Sequence, residues 1–197
     1  MPCSEERDET SKLDHSLASR LLKARTILIS GPVDEELTEK VVSQALVLDA
    51  ESQEPIRVII TTPGGMVDFG FAIHDILRYV QSEIIAIGAG FVASMGVPIL
   101  LSAKKENRLA LPNTRFMMHQ PSGGGGGQAK DVRITAQEII KTRERLNMLI
   151  ALETGQPIEK VATDSDRDFW MSSEQALAYG LITRIITSAR EVRPQAS

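Results

Sequence analysis

Apolar residues recur along this chain in two alternating rhythms. A polar opening stretch, MPCSEERDETSKLDH, gives way to LASRLLKAR, whose leucine spacing predicts a helix over Leu17–Arg25. TILIS, from Thr26 to Ser30, reads as a buried strand stopped by Gly31 and Pro32. From about Asp34 to Glu51, the residues Leu37, Val41, Ala45 and Leu48 mark one apolar helix face, and Pro55 closes that segment. IRVIITT, from Ile56 to Thr62, is rich in β-branched residues and halts at Pro63, Gly64 and Gly65. Phe69, Ile73, Ile76 and Val80 then trace a second amphipathic helix. The pattern continues with a strand over Ile84–Gly88, a turn, a helix over Ser94–Ala103 and the β-prone segments RLAL and RFMMH around Asn113. Strand–helix–strand units in series predict an α/β fold, with parallel strands covered by helices through right-handed crossovers.

The rhythm changes after the glycine run Gly123–Gly127. Val132, Ala136, Ile139, Leu146 and Leu149 predict a long helix over Asp131–Glu153 that projects from the body, with Gly155 as its C-terminal stop. SSEQALAYG predicts one more helix, LITRIIT a last strand, and Glu191–Ser197 a polar tail. No repeat of fixed period is present. Length points to one domain, over about residues 17–190, between a polar segment 1–16 and the tail 191–197.

Composition narrows the function classes. The net charge is −4 and aromatics make up 4% of the chain, so no basic surface with interleaved stacking rings is expected, and no nucleic-acid partner. The only cysteine, Cys3, leaves no internal disulfide and no cysteine metal site, in keeping with a reducing compartment. The opening stretch lacks the apolar core of a secretion signal. Ile84–Ala103 runs 20 residues without a charge, long enough to span a bilayer. Gly88, Gly90, Gly96 and Pro98 punctuate it, so a strand, a turn and a short helix account for it without a membrane.

Three segments carry candidate chemistry. Ser94 sits in GFVASMG, where a β run ends and a helix begins. A sharp turn there exposes the hydroxyl and aims helix N-terminal amides at the same spot. Val92 breaks the stricter G-x-S-x-G pattern, and a serine capping a helix reads the motif equally well. PGGM, Pro63–Met66, closes another strand. It is either a tight βα turn or a place where glycine backbone approaches a ligand closely enough to stabilise an oxyanion. Of the three histidines, His15 lies in the leader and His74 within an amphipathic helix, both read as surface or partly buried structural residues. His119 ends RFMM beside open loop space, where a serine nucleophile would find its base. An orienting aspartate is then wanted. Asp164, Asp166 and Asp168 in TDSDRDF are equal candidates by spacing, and a solvated loop capping the next helix reads the stretch as well. GGGGGQAK does not fit the nucleotide-loop pattern, because Gln128 and Ala129 separate the glycines from Lys130.

Taken together, SRLLKARTILISG, TTPGGMVDFG, GFVASMG, RFMMHQPSGG, GQAKD, ETGQPIEK and DRDFWMSSEQALAYGLI, in this order, resemble the proteolytic-subunit (ClpP) family of the ATP-dependent Clp protease from about Leu17 to Ile186. The resemblance implies a crotonase-like α/β fold whose glycine segment and long helix, about residues 120–155, form a protruding helix-plus-strand handle. It implies a serine endopeptidase with Ser94 as nucleophile, His119 as base and Asp168 as orienting acid, and the amides of Gly65 and Met95 as oxyanion hole. It implies no metal and no cofactor, since ATP is used by the partner. Implied partners are further copies in seven-membered rings stacked as a tetradecamer, an AAA+ unfoldase of the ClpX, ClpA or ClpC type, and unfolded protein substrates, in the cytoplasm or an organelle stroma or matrix. Three departures stand out. GGGGGQA replaces the family's GGYQGQA with Gly125 and Gly126, Arg57 and Ile59 stand where many members carry tyrosines, and the leader lacks an apolar anchor. A mixed ring with a second ClpP-type subunit, in which this chain is structural or conditionally active, is the alternative. A hydratase or isomerase of the wider crotonase fold is disfavoured by the serine, histidine and aspartate in the protease register.

Overall fold

The structure, a computed structural model, describes residues 17–123 and 126–192. The opening segment with Cys3 and His15, the pair Gly124 and Gly125, and residues 193–197 of the tail lie outside the described residues. Residues 17–23 are helical (α1) and lead into β1, Thr26–Ser30. Asp34 caps α2, Glu35–Glu51, by accepting the Leu37 amide at 2.9 Å, as a short polar residue ahead of an apolar stripe does. β2, Ile56–Thr62, buries every second residue. α3, Val67–Tyr79, turns Gly70, Phe71, Ile73, His74 and Leu77 inward.

The sheet is parallel along β1–β2–β3–β4–β7, with β3 at Ile84–Ala93, β4 at Arg108–Ala110 and β7 at Arg184–Ile185. Strand β3 forks it. Its first half, Ala86–Gly88, pairs with β4, and its second half, Phe91–Ala93, pairs with β5, Arg115–Met118. β6, Phe169–Met171, then closes β5 as an antiparallel partner. The expected strand ended at Gly88, whereas the observed one runs to Ala93. The glycines bend it instead of ending it: Gly90 takes φ +65°, and the register with β2 slips between Ile60 and Thr62. The following helix, α4, is correspondingly short, Gly96–Leu100 instead of Ser94–Ala103.

The long helix α5, Ala129–Thr154, ends on Gly155 in the left-handed region at φ +78°, close to the expected bounds. α6, Ile158–Asp164, was not expected, and it converts the first of the three aspartates from loop to helix end. α7, Ser173–Tyr179, carries a reciprocal capping box between Ser172 and Gln175. LITRIIT forms only the two-residue β7, after which Val192 packs with Ile85, Ile87, Leu109 and Ile186 on the far face of the sheet. No described helix is long and apolar enough to cross a membrane. The apolar run that raised the question is a core strand and a buried helix.

Candidate active site

Ser94 stands one residue beyond β3 and one before Met95, the N-cap of α4, with φ +52°. A left-handed conformation costs a residue with a Cβ roughly 1–2 kcal/mol, so it persists only where its surroundings hold it. Here they do. The Ser94 amide donates to Met117 O at 2.8 Å, and its carbonyl accepts from Val97 at 3.0 Å. The chain therefore reverses sharply from strand to helix with the hydroxyl at the bend.

Strand register delivers the other two side chains. Ala93 pairs with Met117 in the parallel β3–β5 ladder, so His119, one residue past the end of β5, arrives beside Ser94. In the antiparallel β5–β6 ladder Met118 pairs with Phe169, and one step further sets His119 opposite Asp168. His119 Nε2 lies 2.9 Å from Ser94 Oγ, and His119 Nδ1 lies 3.1 Å from Asp168 Oδ1. A carboxylate only accepts, so Nδ1 carries the proton and Nε2 is left as acceptor for the serine hydroxyl. The His119 side chain is 31% exposed and that of Asp168 60% exposed, so solvent screens the attraction between them.

The two remaining aspartates are occupied elsewhere. Asp164 accepts from Tyr179 Oη at 2.9 Å and from Lys160 Nζ at 2.5 Å. Burial and this carboxylate push the Tyr179 phenol well above its ordinary range. Asp166 meets Gln120 chiefly through its backbone carbonyl, at 2.9 Å from Gln120 Nε2.

The PGG turn lies directly against the serine bend. A Cβ on Gly64 would fall 2.5 Å from Ser94 Cβ and 2.9 Å from the Met95 nitrogen, and Gly64 takes φ +89°. Only glycine allows this approach. Gly65 is bridged by Val33, which donates to Gly64 O at 2.9 Å and accepts from the Met66 amide at 2.8 Å. In a parallel bridge those bonds flank the residue, so the Gly65 amide points away from Val33. Thr62 Oγ1 braces the turn by donating to Gly31 O at 2.6 Å and accepting the Gly64 amide at 3.0 Å. Among the described residues neither the Gly65 nor the Met95 amide has an acceptor. Beside Ser94 and His119 lies a small pocket whose apolar walls include Val67, Pro121, Leu146 and Ile150.

The structure thus brings Ser94, His119 and Asp168 into one hydrogen-bonded chain and sets the PGG turn against Ser94 and Met95. His74 lies elsewhere, 5% exposed on α3, more deeply buried than expected. The parts that sequence reasoning missed are Gly64, Val33 and Thr62. The doubled glycine hinted at the first, but nothing local marks the other two, because their role depends on β1 and β2 lying side by side.

The chain matches the family model "Clp protease" over residues 9–189. It is 48% identical over 191 residues to ATP-dependent Clp protease proteolytic subunit 3 of Rhizobium etli, covering 95% of this chain and 98% of that one. It is 43% identical over 185 residues to ATP-dependent Clp protease proteolytic subunit 2 of Pseudomonas aeruginosa, covering 94% and 92%. Among solved structures, ClpP1 from Listeria monocytogenes superposes with a TM-score of 0.81 at 43% identity, covering 90% of this chain and 99% of that chain. The α/β architecture is accordingly the crotonase-like fold of these proteins. The chain belongs to the Clp protease family and is a serine-type proteolytic subunit of it.

Proposed function

We propose that Ser94 is the nucleophile, His119 the general base, Asp168 the group that orients the base, and the amides of Gly65 and Met95 the oxyanion hole. The observation that carries this reading is His119, within hydrogen-bond reach of Ser94 Oγ through one nitrogen and of Asp168 through the other. As Ser94 Oγ attacks a peptide carbonyl, its proton passes to His119 Nε2. The carbonyl oxygen becomes an oxyanion, received by two amides that have no other acceptor among the described residues. His119 then gives its proton to the leaving amine, whose departure leaves an acyl-Ser94. Water, deprotonated by the same histidine, attacks that ester, and His119 returns the proton to Ser94 Oγ as the acid product leaves. The imidazolium formed at each step is held by Asp168, and the reaction draws on no metal or cofactor in this chain. The apolar walls beside Ser94 favour an apolar side chain on the acyl side of the scissile bond.

Substrates are unfolded chains delivered by an AAA+ unfoldase that spends the ATP, and short peptides that diffuse in unaided. Copies of the chain assemble as seven-membered rings stacked in pairs, with α5 and the glycine segment as the ring-to-ring handle, in the cytoplasm. The test is hydrolysis of a short fluorogenic peptide with an apolar residue before the reporter. The assembled wild type turns it over, and Ser94→Ala in the same assembly state does not. Equal turnover by the two proteins would refute the assignment.

A further inference from the structure

Three helices that carry the site start or pass beside it, and their C-terminal ends meet around Arg108 and Glu153. α3 follows Met66, directly after Gly65, and its last turn carries Arg78. α4 follows Met95 and closes on Leu101. α5 gives Leu146 and Ile150 to the pocket beside Ser94 and ends one residue after Glu153. The convergence is held by one carboxylate and two guanidinium groups. Arg108, at the head of β4, is 1% exposed. It donates through Nε to Ala103 O at 2.8 Å, through Nη2 to Leu101 O at 3.3 Å, and through Nη1 to Glu153 O at 2.9 Å. Nη2 also donates to Glu153 Oε2. The other carboxylate oxygen, Oε1, accepts from Arg78 Nη1 at 2.7 Å.

Helix C-termini present unpaired carbonyls and a partial negative charge, which is why cations belong at this meeting point. Arg108 covers the ends of α4 and α5, and Arg78 belongs to the end of α3. Glu153 is the group that both cations share. Through it α3, the helix behind the Gly65 turn, is joined to α5, the helix lining the pocket, and to Arg108, which itself holds the end of α4 through Leu101 O and Ala103 O and belongs to β4, the partner of β3 that leads to Ser94.

We infer that Glu153, gripped by Arg108 and Arg78, is a positioning residue for peptide hydrolysis: it fixes the mutual placement of the two oxyanion amides and the substrate pocket without touching substrate. The inference rests on the peptidase reading above. Its two arms differ in a useful way. Arg108 is sealed in the interior, so losing its carboxylate leaves a buried charge unpaired and endangers folding. The Arg78 side chain is 49% exposed, and exposed ion pairs contribute little to stability. Cutting the Arg78 arm therefore loosens α3 against α4 and α5 while leaving the fold intact.

The experiment compares the wild type, Arg78→Gln, Arg78→Lys and Glu153→Gln as full chains in the assembled state. It measures kcat and KM on a fluorogenic peptide, the rate of fluorophosphonate reaction at Ser94, and Tm. For Arg78→Gln, kcat and the labelling rate fall about tenfold with KM within about twofold, because small misplacements of reacting groups are felt in kcat. Its Tm stays within about 3 °C of the wild type, as expected when little stability is lost. Arg78→Lys recovers most of the lost rate, and Glu153→Gln, which keeps an acceptor but no charge, loses more than Arg78→Gln. Wild-type kcat and labelling in Arg78→Gln would overturn the inference, as would a loss that Arg78→Lys does not recover or one that only follows a lowered Tm. A wild type that neither turns over peptide nor labels would instead overturn the peptidase reading and take this inference with it.

Discussion

Ser94 is an ordinary residue in an uncommon backbone state, and the surroundings that impose that state can be tested one atom at a time. A methyl group added at Gly64 would have to share space with Ser94 Cβ, in a backbone conformation that disfavours any side chain. Gly64→Ala is therefore expected to lower kcat by at least about 100-fold, the scale of losing one oxyanion donor, since the turn must retreat from Ser94 and carry the Gly65 amide with it. Peptide turnover per folded subunit, with folding checked by circular dichroism, measures this. Asp168→Asn keeps the shape and removes the charge that selects the productive histidine tautomer. A fall in kcat of roughly 100- to 1,000-fold is expected, smaller than for a fully buried aspartate because solvent screens this one. Retained wild-type kcat in Asp168→Asn would show that His119 needs no such partner.

At the scale of elements, α3 contains a group that couples stability to pH. His74 is 5% exposed, and among the described residues its Nε2 has no hydrogen-bond partner, while Nδ1 lies 2.9 Å from Asp75. Burial pushes the imidazole below its ordinary value of 6.5, with the Asp75 contact pulling the other way. A base whose folded value is depressed favours the neutral form in the fold, so the unfolded chain binds more protons as pH drops through 6.5. Stability from this site is present above that pH and is lost progressively from there down to the depressed folded value. Replacing His74 by Phe, which cannot charge, should shrink the loss of Tm between about pH 7.5 and about pH 5.5 relative to the wild type. An identical loss in both proteins would place the acid sensitivity elsewhere.

The same scale shows what periodicity can and cannot reveal. The α2 stripe from Leu37 to Leu48, the alternation of β2 and the Gly155 stop of α5 are local signals, and each element appears where its residues put it. The fork of β3 is not local. Whether Gly88 and Gly90 end the strand or bend it depends on β5 being available to pair with Phe91–Ala93. The three aspartates are likewise equal by spacing, and family resemblance alone singles out Asp168. The geometric reason is an antiparallel register between segments about 50 residues apart in the chain, which no window along the sequence contains.

The whole molecule displays surface that a lone subunit has little reason to keep. Tyr79 and Leu152 are each 77% exposed, Met148 58% and Ile134 56%, all on α3 and α5. Large apolar side chains left exposed along α5 and at the end of α3 are in keeping with self-assembly. Native mass measurement is expected to find particles of seven or fourteen times the 21.6 kDa subunit, and a purely monomeric but fully active protein would contradict the ring assembly. Adding a second Clp-type subunit and repeating the mass measurement tests whether the full assembly is mixed. The most direct test of the central claim remains covalent. After treatment of the assembled protein with a fluorophosphonate, mass spectrometry should find one adduct per subunit, mapped to Ser94, and none in Ser94→Ala. An adduct on another residue, or no adduct in any assembly state, would contradict the account.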